Sequence, residues 1–166
     1  MRHPILVSLC VAGAFALSAC EQSSGNDVDR AFQDINVVDE TNLNDVMLTA
    51  SDPNEAVAYF QRAVGEKPER IDLLRGLGKS LVRAKRNTEA VSIWTRITEH
   101  KDATDEDRVD LADALIRNNE WDRAKTTLDS IPPTHETFKR YRLEAMVADS
   151  KQDWKKADSF YEIAVG

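Results

Sequence analysis

Residues 71–104, IDLLRGLGKSLVRAKRNTEAVSIWTRITEHKDAT, contain the pattern that decides the fold of this 166-residue chain. In the first half, Leu74, Leu77 and Leu81 recur at intervals of three and four residues. In the second half, Trp94 lies four residues after Ala90 on the same helical face. Such intervals place apolar side chains along one side of an α-helix. The stretch therefore predicts two amphipathic helices joined by a short turn.

The same pattern returns every 34 residues, with one step of 33 at the Pro132-Pro133 loop. A fixed period of this length is the signature of stacked structural repeats. Positions separated by this period form columns of equivalent residues. We expect the small residues of a column where two helix axes approach closely, and its aromatic residues where one helix pair packs on the next. The columns are Ala56, Ala90, Ala124 and Ala157; Phe60, Trp94, Leu128 and Tyr161; Ala63, Ile97, Ile131 and Ala164; and Gly78, Ala112 and Ala145.

The period and columns resemble those of the tetratricopeptide repeat (TPR), a helix-turn-helix unit. About three and a half units cover residues 37–166, although the first helix, roughly residues 37–50, is degraded and has Asn44 in the small-residue column. The resemblance implies an all-α, TPR-like solenoid. Its repeat packing is expected to involve Gly78, Ala90, Trp94, Ala112, Ala124, Ala145, Ala157 and Tyr161. Because alanine occupies the Gly78 column twice, we expect alanine to be tolerated there as well.

Two stretches predict helix starts. In Ser51-Asp52-Pro53, a capping Asp precedes a Pro at the first helical position. Thr104 and Asp107 have the spacing of a capping box.

Residues 76–80, GLGKS, end like a phosphate-binding loop. That loop requires a glycine five residues before its second glycine, where this chain has Leu73, and it lies between a strand and a helix. Gly78 instead occupies a repeat column. His100 and His135 lie in no catalytic or metal-binding motif. The sequence therefore predicts no enzyme, no cofactor and no metal, with a nucleotide-binding enzyme as the rival class.

The first twenty residues, MRHPILVSLCVAGAFALSAC, have a basic start and a short apolar core. The ending LSAC resembles the lipobox of bacterial lipoproteins, which implies a signal peptide over residues 1–19 and a lipid on Cys20. An ordinary cleaved signal is the alternative. Residues 20–36 are polar and are expected to form a flexible tether. Glu21, rather than Asp, after the cysteine favours the outer membrane, with the protein facing the periplasm.

The acidic balance, a net charge of −7 and a pI near 5.0, argues against a nucleic-acid partner. The TPR resemblance implies instead a protein partner in a concave groove lined by the first helix of each repeat. Arg75, Lys79 and Arg83 would form a basic stripe there, unless they are merely a solvated face. The other groove candidates are Val109, Asp113, Lys139 and Arg142.

These features together predict a lipid-anchored scaffold of the bacterial envelope. Its layout is similar to TadD-type lipoproteins of tight-adherence (Flp) pilus assembly and to pilotin-like lipoproteins of secretion systems. A component of outer-membrane protein insertion or of cell-wall synthesis regulation is the alternative. The last helix carries apolar residues on more than one face. We therefore expect either a longer repeat array or a C-terminal edge that docks onto a partner.

Overall fold

The computed structural model describes residues 42–165. The described residues from Leu43 onward belong to one compact unit. The described residues contain eight α-helices and no β-strand, which confirms the all-α, TPR-like prediction. They are α1 over residues 42–49, α2 (Pro53–Glu66), α3 (Ile71–Arg83), α4 (Asn87–Thr98), α5 (Asp105–Arg117), α6 (Trp121–Asp129), α7 (Phe138–Ser150) and α8 (Trp154–Val165).

The helices alternate between two roles. We call α1, α3, α5 and α7 the A helices, and α2, α4, α6 and α8 the B helices. From α3 onward, each A helix packs on the B helix that follows it, and α2, α4 and α6 also pack on the next A helix. The described residues from α2 onward therefore form a stack in which contacts join consecutive helices and also α5 and α7, which belong to consecutive repeats, as expected for a solenoid.

The turns from A helix to B helix repeat the same geometry. Lys85, Asn119 and Gln152 have positive φ angles of 58°, 62° and 61°. Around each of them, a backbone N–H bonds back across the turn to a carbonyl five residues earlier, at distances of 2.9, 2.8 and 3.1 Å. This is the Schellman end of a helix, which usually has glycine at the left-handed position. The backbone thus repeats even where the side chains do not.

Both predicted helix starts are formed. Asp52 caps α2, with its carboxylate accepting from Asn54 N at 2.8 Å, and Pro53 begins the helix. Thr104 and Asp107 form a capping box at α5. These local signals fix where the helices begin, and so the lengths of the loops between repeats.

The repeat columns form the core. The column of four alanines is completely buried, and Phe60, Trp94 and Leu128 are buried as well. Gly78, Ala112 and Ala145 are also buried. Tyr161 differs from the other members of its column, because it remains 37% exposed on α8.

The expectation that alanine would be tolerated at Gly78 is wrong. A Cβ atom there would lie 2.7 Å from Cε2 and 2.9 Å from Nε1 of the buried Trp94 ring. Ala112 and Ala145 lie in repeats whose aromatic column holds Leu128 and Tyr161 instead. The residue size that this column accepts therefore differs between repeats. Glycine is needed at position 78 because the Trp94 ring packs against it.

The predicted signal peptide, Cys20, the tether and the start of the first repeat at residues 37–41 lie outside the described residues. None of the helices in the described part of the chain is both long and apolar enough to cross a lipid bilayer.

Candidate protein-binding surface

The outward side of the A helices is the surface where the sequence predicted a partner. The structure places the predicted residues there in different settings. Several are engaged by the neighbouring repeat, one is in the core, and a few are open to solvent.

Arg75 joins α3 to the start of α5. Its Nε and Nη2 atoms donate to the two carboxylate oxygens of Asp107, each at 2.7 Å, and Nη2 also donates to the Asp102 carbonyl at 3.2 Å. A two-point guanidinium–carboxylate pair is among the strongest side-chain contacts. Arg75 therefore connects consecutive repeats.

Arg83 has a similar role at the other end of α3. Its guanidinium donates to the carbonyls of Leu48 at 2.6 Å and Ser51 at 2.9 Å. These carbonyls lie at the C-terminal end of α1, where a helix has unsatisfied acceptors and a partial negative charge. Arg83 thus caps the preceding A helix, although part of its side chain remains open to solvent.

Of the basic stripe, Lys79 alone is exposed with neither a hydrogen bond nor an ion pair in the described part of the chain. The three basic residues therefore do not act as one binding stripe. Two of them hold α3 to its neighbours, and Lys79 projects between them.

On α5 the prediction for Val109 is wrong, because this side chain is 0% exposed and belongs to the core. Val109 occupies the same repeat column as Arg75 and Arg142, whose side chains are also partly buried, so this column faces the stack rather than solvent. Ile116, which has the same spacing, is also buried. Asp113 is partly exposed and pairs with Arg117 one turn later at 3.1 Å.

On α7, Lys139 pairs with Asp110 of α5 and so joins the third and fourth A helices. Arg142 is partly buried and, among the described residues, its buried Nε atom has no hydrogen-bond partner. The two α7 candidates are thus one junction residue and one unpaired cation.

The two carboxylates of these junctions have opposite pKa shifts. Burial opposes ionisation of Asp107, but hydrogen bonds from Arg75 and from the backbone and hydroxyl of Thr104 outweigh it, so its pKa is lowered. For Asp110, burial is the larger effect and outweighs the bond from Lys139, so its pKa is raised. The bonds to Asp107 therefore outweigh the cost of burying its charge, whereas the bond from Lys139 to Asp110 does not.

The sequence interpretation missed both of these acids as partners. Asp107 follows Arg75 by 32 residues, and Lys139 follows Asp110 by 29. Pairs of opposite charge separated by nearly one repeat are the signal that could have identified them. Gly76 was also missed: a Cβ there would lie 2.3 Å from Cε1 of Phe60, so the ring of α2 packs directly on the α3 backbone.

His100 and His135 form no reactive centre with other side chains in the described part of the chain. His135 Nε2 lies 3.2 Å from Glu106 Oε2, and His100 lies near Asp102 at the end of α4. Within residues 42–165, no group of three or more His, Cys, Asp or Glu side chains could hold a metal ion. GLGKS lies inside α3, and Ser80 donates its hydroxyl to the Gly76 carbonyl at 2.8 Å.

No protein-family model matches the chain, and no curated protein matches it. Among solved structures, "MamA MSR-1 C2" is similar with a TM-score of 0.57 and 18% identity, covering 68% of this chain and 65% of that one. A structure of a MamA point mutant is similar with a TM-score of 0.54 and 18% identity, covering 67% and 65%. The chain thus spans about 65% of the length of these TPR-repeat proteins. At this identity the likeness concerns the fold alone, and that fold is a TPR-like helical solenoid.

Proposed function

We propose that this protein is a membrane-anchored adaptor of the bacterial envelope that binds a protein partner on its A-helix surface. The observation that carries the proposal is the TPR-like stack itself, whose A helices present a row of open polar positions in consecutive repeats, such as Lys79 and Asp113, that is interrupted by the buried Val109 and Ile116. Fold alone does not fix function, so the proposal depends on the chemistry of that row.

The open positions of the row have both charges and one large apolar group. Lys79 and Glu106 are exposed, Asp113 is partly exposed, and Phe138 is 59% exposed at the start of α7. A partner segment that carries both charges and an apolar side chain to pack on Phe138 suits this surface better than a purely acidic peptide. Aromatic anchors of this kind carry much of the energy in protein interfaces.

The anchor is proposed from the sequence. The LSAC ending at residues 17–20 supports a lipid on Cys20 and, with Glu21, placement in the outer membrane. Stable anchoring of this kind needs more than one acyl chain. In cells fed with labelled palmitate, the wild type should be labelled and Cys20→Ser should not; equal labelling of both would refute the anchor.

A role in pilus or secretion-system assembly is the finer form of the proposal, supported by the combination of lipoprotein signal and TPR-like repeats. A site-specific photo-crosslinker tests the surface in cells. Placed at Lys79, it should give one dominant adduct with an envelope protein. Placed at Ser92, which is exposed on the B helix α4, it should not.

The identity of the adduct then decides the pathway. A pilus or secretin component would support the finer proposal, and an outer-membrane insertion or cell-wall component would replace it with the alternative. The same adducts at Lys79 and Ser92, or none at either, would contradict binding on the A-helix surface.

A further inference from the structure

A cavity of about 120 Å³ lies among α6, α7 and α8, where one repeat meets the next. Its floor consists of apolar side chains, three of them buried and the last half-buried: Leu128, Val147, Ala148 and Phe160. Charged side chains surround this floor, among them Lys125, Glu144 and Lys156. An apolar floor with a few polar groups around it is the usual form of a small binding pocket.

The repeat columns explain the space at this junction. Four positions on α6 and α7 have a smaller or charged residue where both earlier junctions have a buried apolar one. The columns are Val57, Val91 and Lys125; Phe60, Trp94 and Leu128; Leu77, Leu111 and Glu144; and Leu81, Leu115 and Ala148. Because protein interiors are closely packed, the loss of these apolar groups opens a cavity between α6 and α7.

The mouth of the cavity is open because of its place in the repeat. The column of Lys156 also contains Glu55, Glu89 and Arg123, and all of them are exposed. The column of Phe160 also contains Tyr59, Ile93 and Thr127, and all of them are half-buried. The helices α2, α4 and α6 each have a following A helix packed on them. The exposure of α8 at these two positions is therefore that of an internal B helix.

The charges at the mouth favour an acidic group beside the floor. Two lysines there have acidic partners: Lys125 with Asp129, and Lys151 with Asp122. Glu144 is paired with Arg140 at 2.9 Å. Lys156 has no carboxylate partner in the described part of the chain, and its Nζ atom lies 5.5 Å from the centre of the Phe160 ring. An available cation thus adjoins the apolar floor.

We propose that this cavity receives a leucine-sized side chain of a partner polypeptide, and that Lys156 pairs with a carboxylate next to it in that polypeptide. The incoming side chain takes the place that Leu81 and Leu115 have at the earlier junctions and that Ala148 leaves open. An apolar cavity of about 150 Å³ holds a benzene molecule. The volume at this junction therefore suits an aliphatic side chain. The site shares no residue with the open positions of the A-helix surface and does not depend on that proposal.

Titration of the full chain in mild detergent with short peptides tests the proposal. The probe is the tetrapeptide Gly-Leu-Glu-Gly, acetylated and amidated at its ends. Nuclear magnetic resonance should show saturable shifts of amide signals centred on the residues that line the cavity. Alanine in place of the leucine should weaken binding about tenfold, because the apolar contact is lost. Glutamine in place of the glutamate should weaken it about threefold, since an exposed ion pair contributes little.

Variants of the protein locate the site. Ala148→Leu restores the residue of the earlier repeats, fills the cavity and should weaken binding of the leucine peptide about tenfold. Lys156→Gln should weaken it about threefold, and less at high salt. Lys155→Gln is the matched control, because this lysine is exposed on the same helix but does not line the cavity. It should bind like the wild type. Circular dichroism must show equal helicity, and if Ala148→Leu does not fold, Lys156→Gln and the alanine peptide decide.

Three results would overturn the proposal. The first is that the leucine and alanine peptides bind equally, or that neither binds at the highest soluble concentration. The second is that folded Ala148→Leu, or Lys156→Gln, binds the leucine peptide as tightly as the wild type does, which would place the contact elsewhere. The third is that 4-methylpentanoate, an aliphatic acid without a peptide backbone, binds as tightly as the peptide. The cavity would then be a site for a small apolar acid.

Discussion

Helices α3 and α7 start their repeats from the same register but have different surroundings. Both sides of α3 are closely packed: the Phe60 ring lies on the Gly76 backbone, and the Trp94 ring lies against Gly78. On α7, the buried Nε of Arg142 has no hydrogen-bond partner among the described residues, and Tyr161 on the adjoining α8 is 37% exposed. Equivalent columns are thus fully buried around α3 and partly exposed around α7 and α8.

This difference shows where the stability of the stack is located. In a solenoid, each repeat gains most of its energy from contacts with the repeats beside it. At α3, ring-on-glycine packing and the bonds of Arg75 and Arg83 provide such contacts in both directions. The predictions below compare these junctions, beginning with the largest expected effect.

Packing at Gly78 should be the most sensitive. Gly78→Leu places a branched side chain against the buried Trp94 and should lower the free energy of unfolding by about 3 kcal/mol or more. Ala145→Leu, the equivalent change on α7, should cost less, because the partly exposed Tyr161 can move aside. Chemical denaturation of both variants measures the difference. Equal losses would contradict the contrast between the two helices.

Removing the charge of Asp107 should have the second-largest effect on stability. Asp107→Asn leaves Arg75 without its acid and weakens the α5 cap, which should cost about 2–4 kcal/mol at neutral pH. Because the folded pKa of Asp107 is lowered, its contribution is complete above the unfolded pKa of about 3.9 and disappears as pH falls through the lower folded value.

Unfolding curves of the wild type and Asp107→Asn at several pH values test this. The gap between them should narrow in acid. A difference in unfolding free energy that stays constant over the whole acid range would mean that the ionised carboxylate stabilises the folded state no more than the protonated one does.

Asp110 should give the smallest effect, with the opposite pH dependence. Burial raises the folded pKa of Asp110 despite the bond from Lys139. The stability that the protonated carboxyl contributes is therefore lost as pH rises through that pKa and the buried group ionises. Asp110→Asn should therefore change stability by less than about 1 kcal/mol at neutral pH. Relative to this variant, the wild type should gain stability as pH falls. A wild type that instead loses stability relative to the variant would show that the Lys139 pair dominates.

Much of the fold was predictable because its signals are local or periodic. The 34-residue columns identified the helix pairs, and Asp52, Thr104 and Asp107 fixed two helix starts. The positive-φ turn at Lys85 was not predictable from the side chain, since lysine gives no left-handed signal. There the Schellman bonds between consecutive helices decide the conformation.

The surface was harder to predict, for a physical reason. Arg75 and Lys79 lie on the same face of a helical wheel. Only the position of the next A helix determines that Arg75 pairs with the neighbouring repeat whereas Lys79 is exposed. Val109 has the outward spacing yet is buried, because its column faces the adjoining repeat, as the pair between Arg75 of the same column and Asp107 also indicates. Periodicity gives the face of one helix, whereas exposure depends on what the rest of the stack covers.

A double-mutant cycle between Arg75 and Asp107 tests most directly whether junction contacts, rather than a free basic stripe, explain the A-helix charges. The measured quantity is the unfolding free energy of Arg75→Ala, Asp107→Ala and the double variant. Arg142→Ala, at low protein concentration, is the control from the same column. We predict a coupling energy of about 1–3 kcal/mol and a loss below about 0.5 kcal/mol for Arg142→Ala. Additive effects at Arg75 and Asp107, or an equal loss at Arg142, would contradict the account.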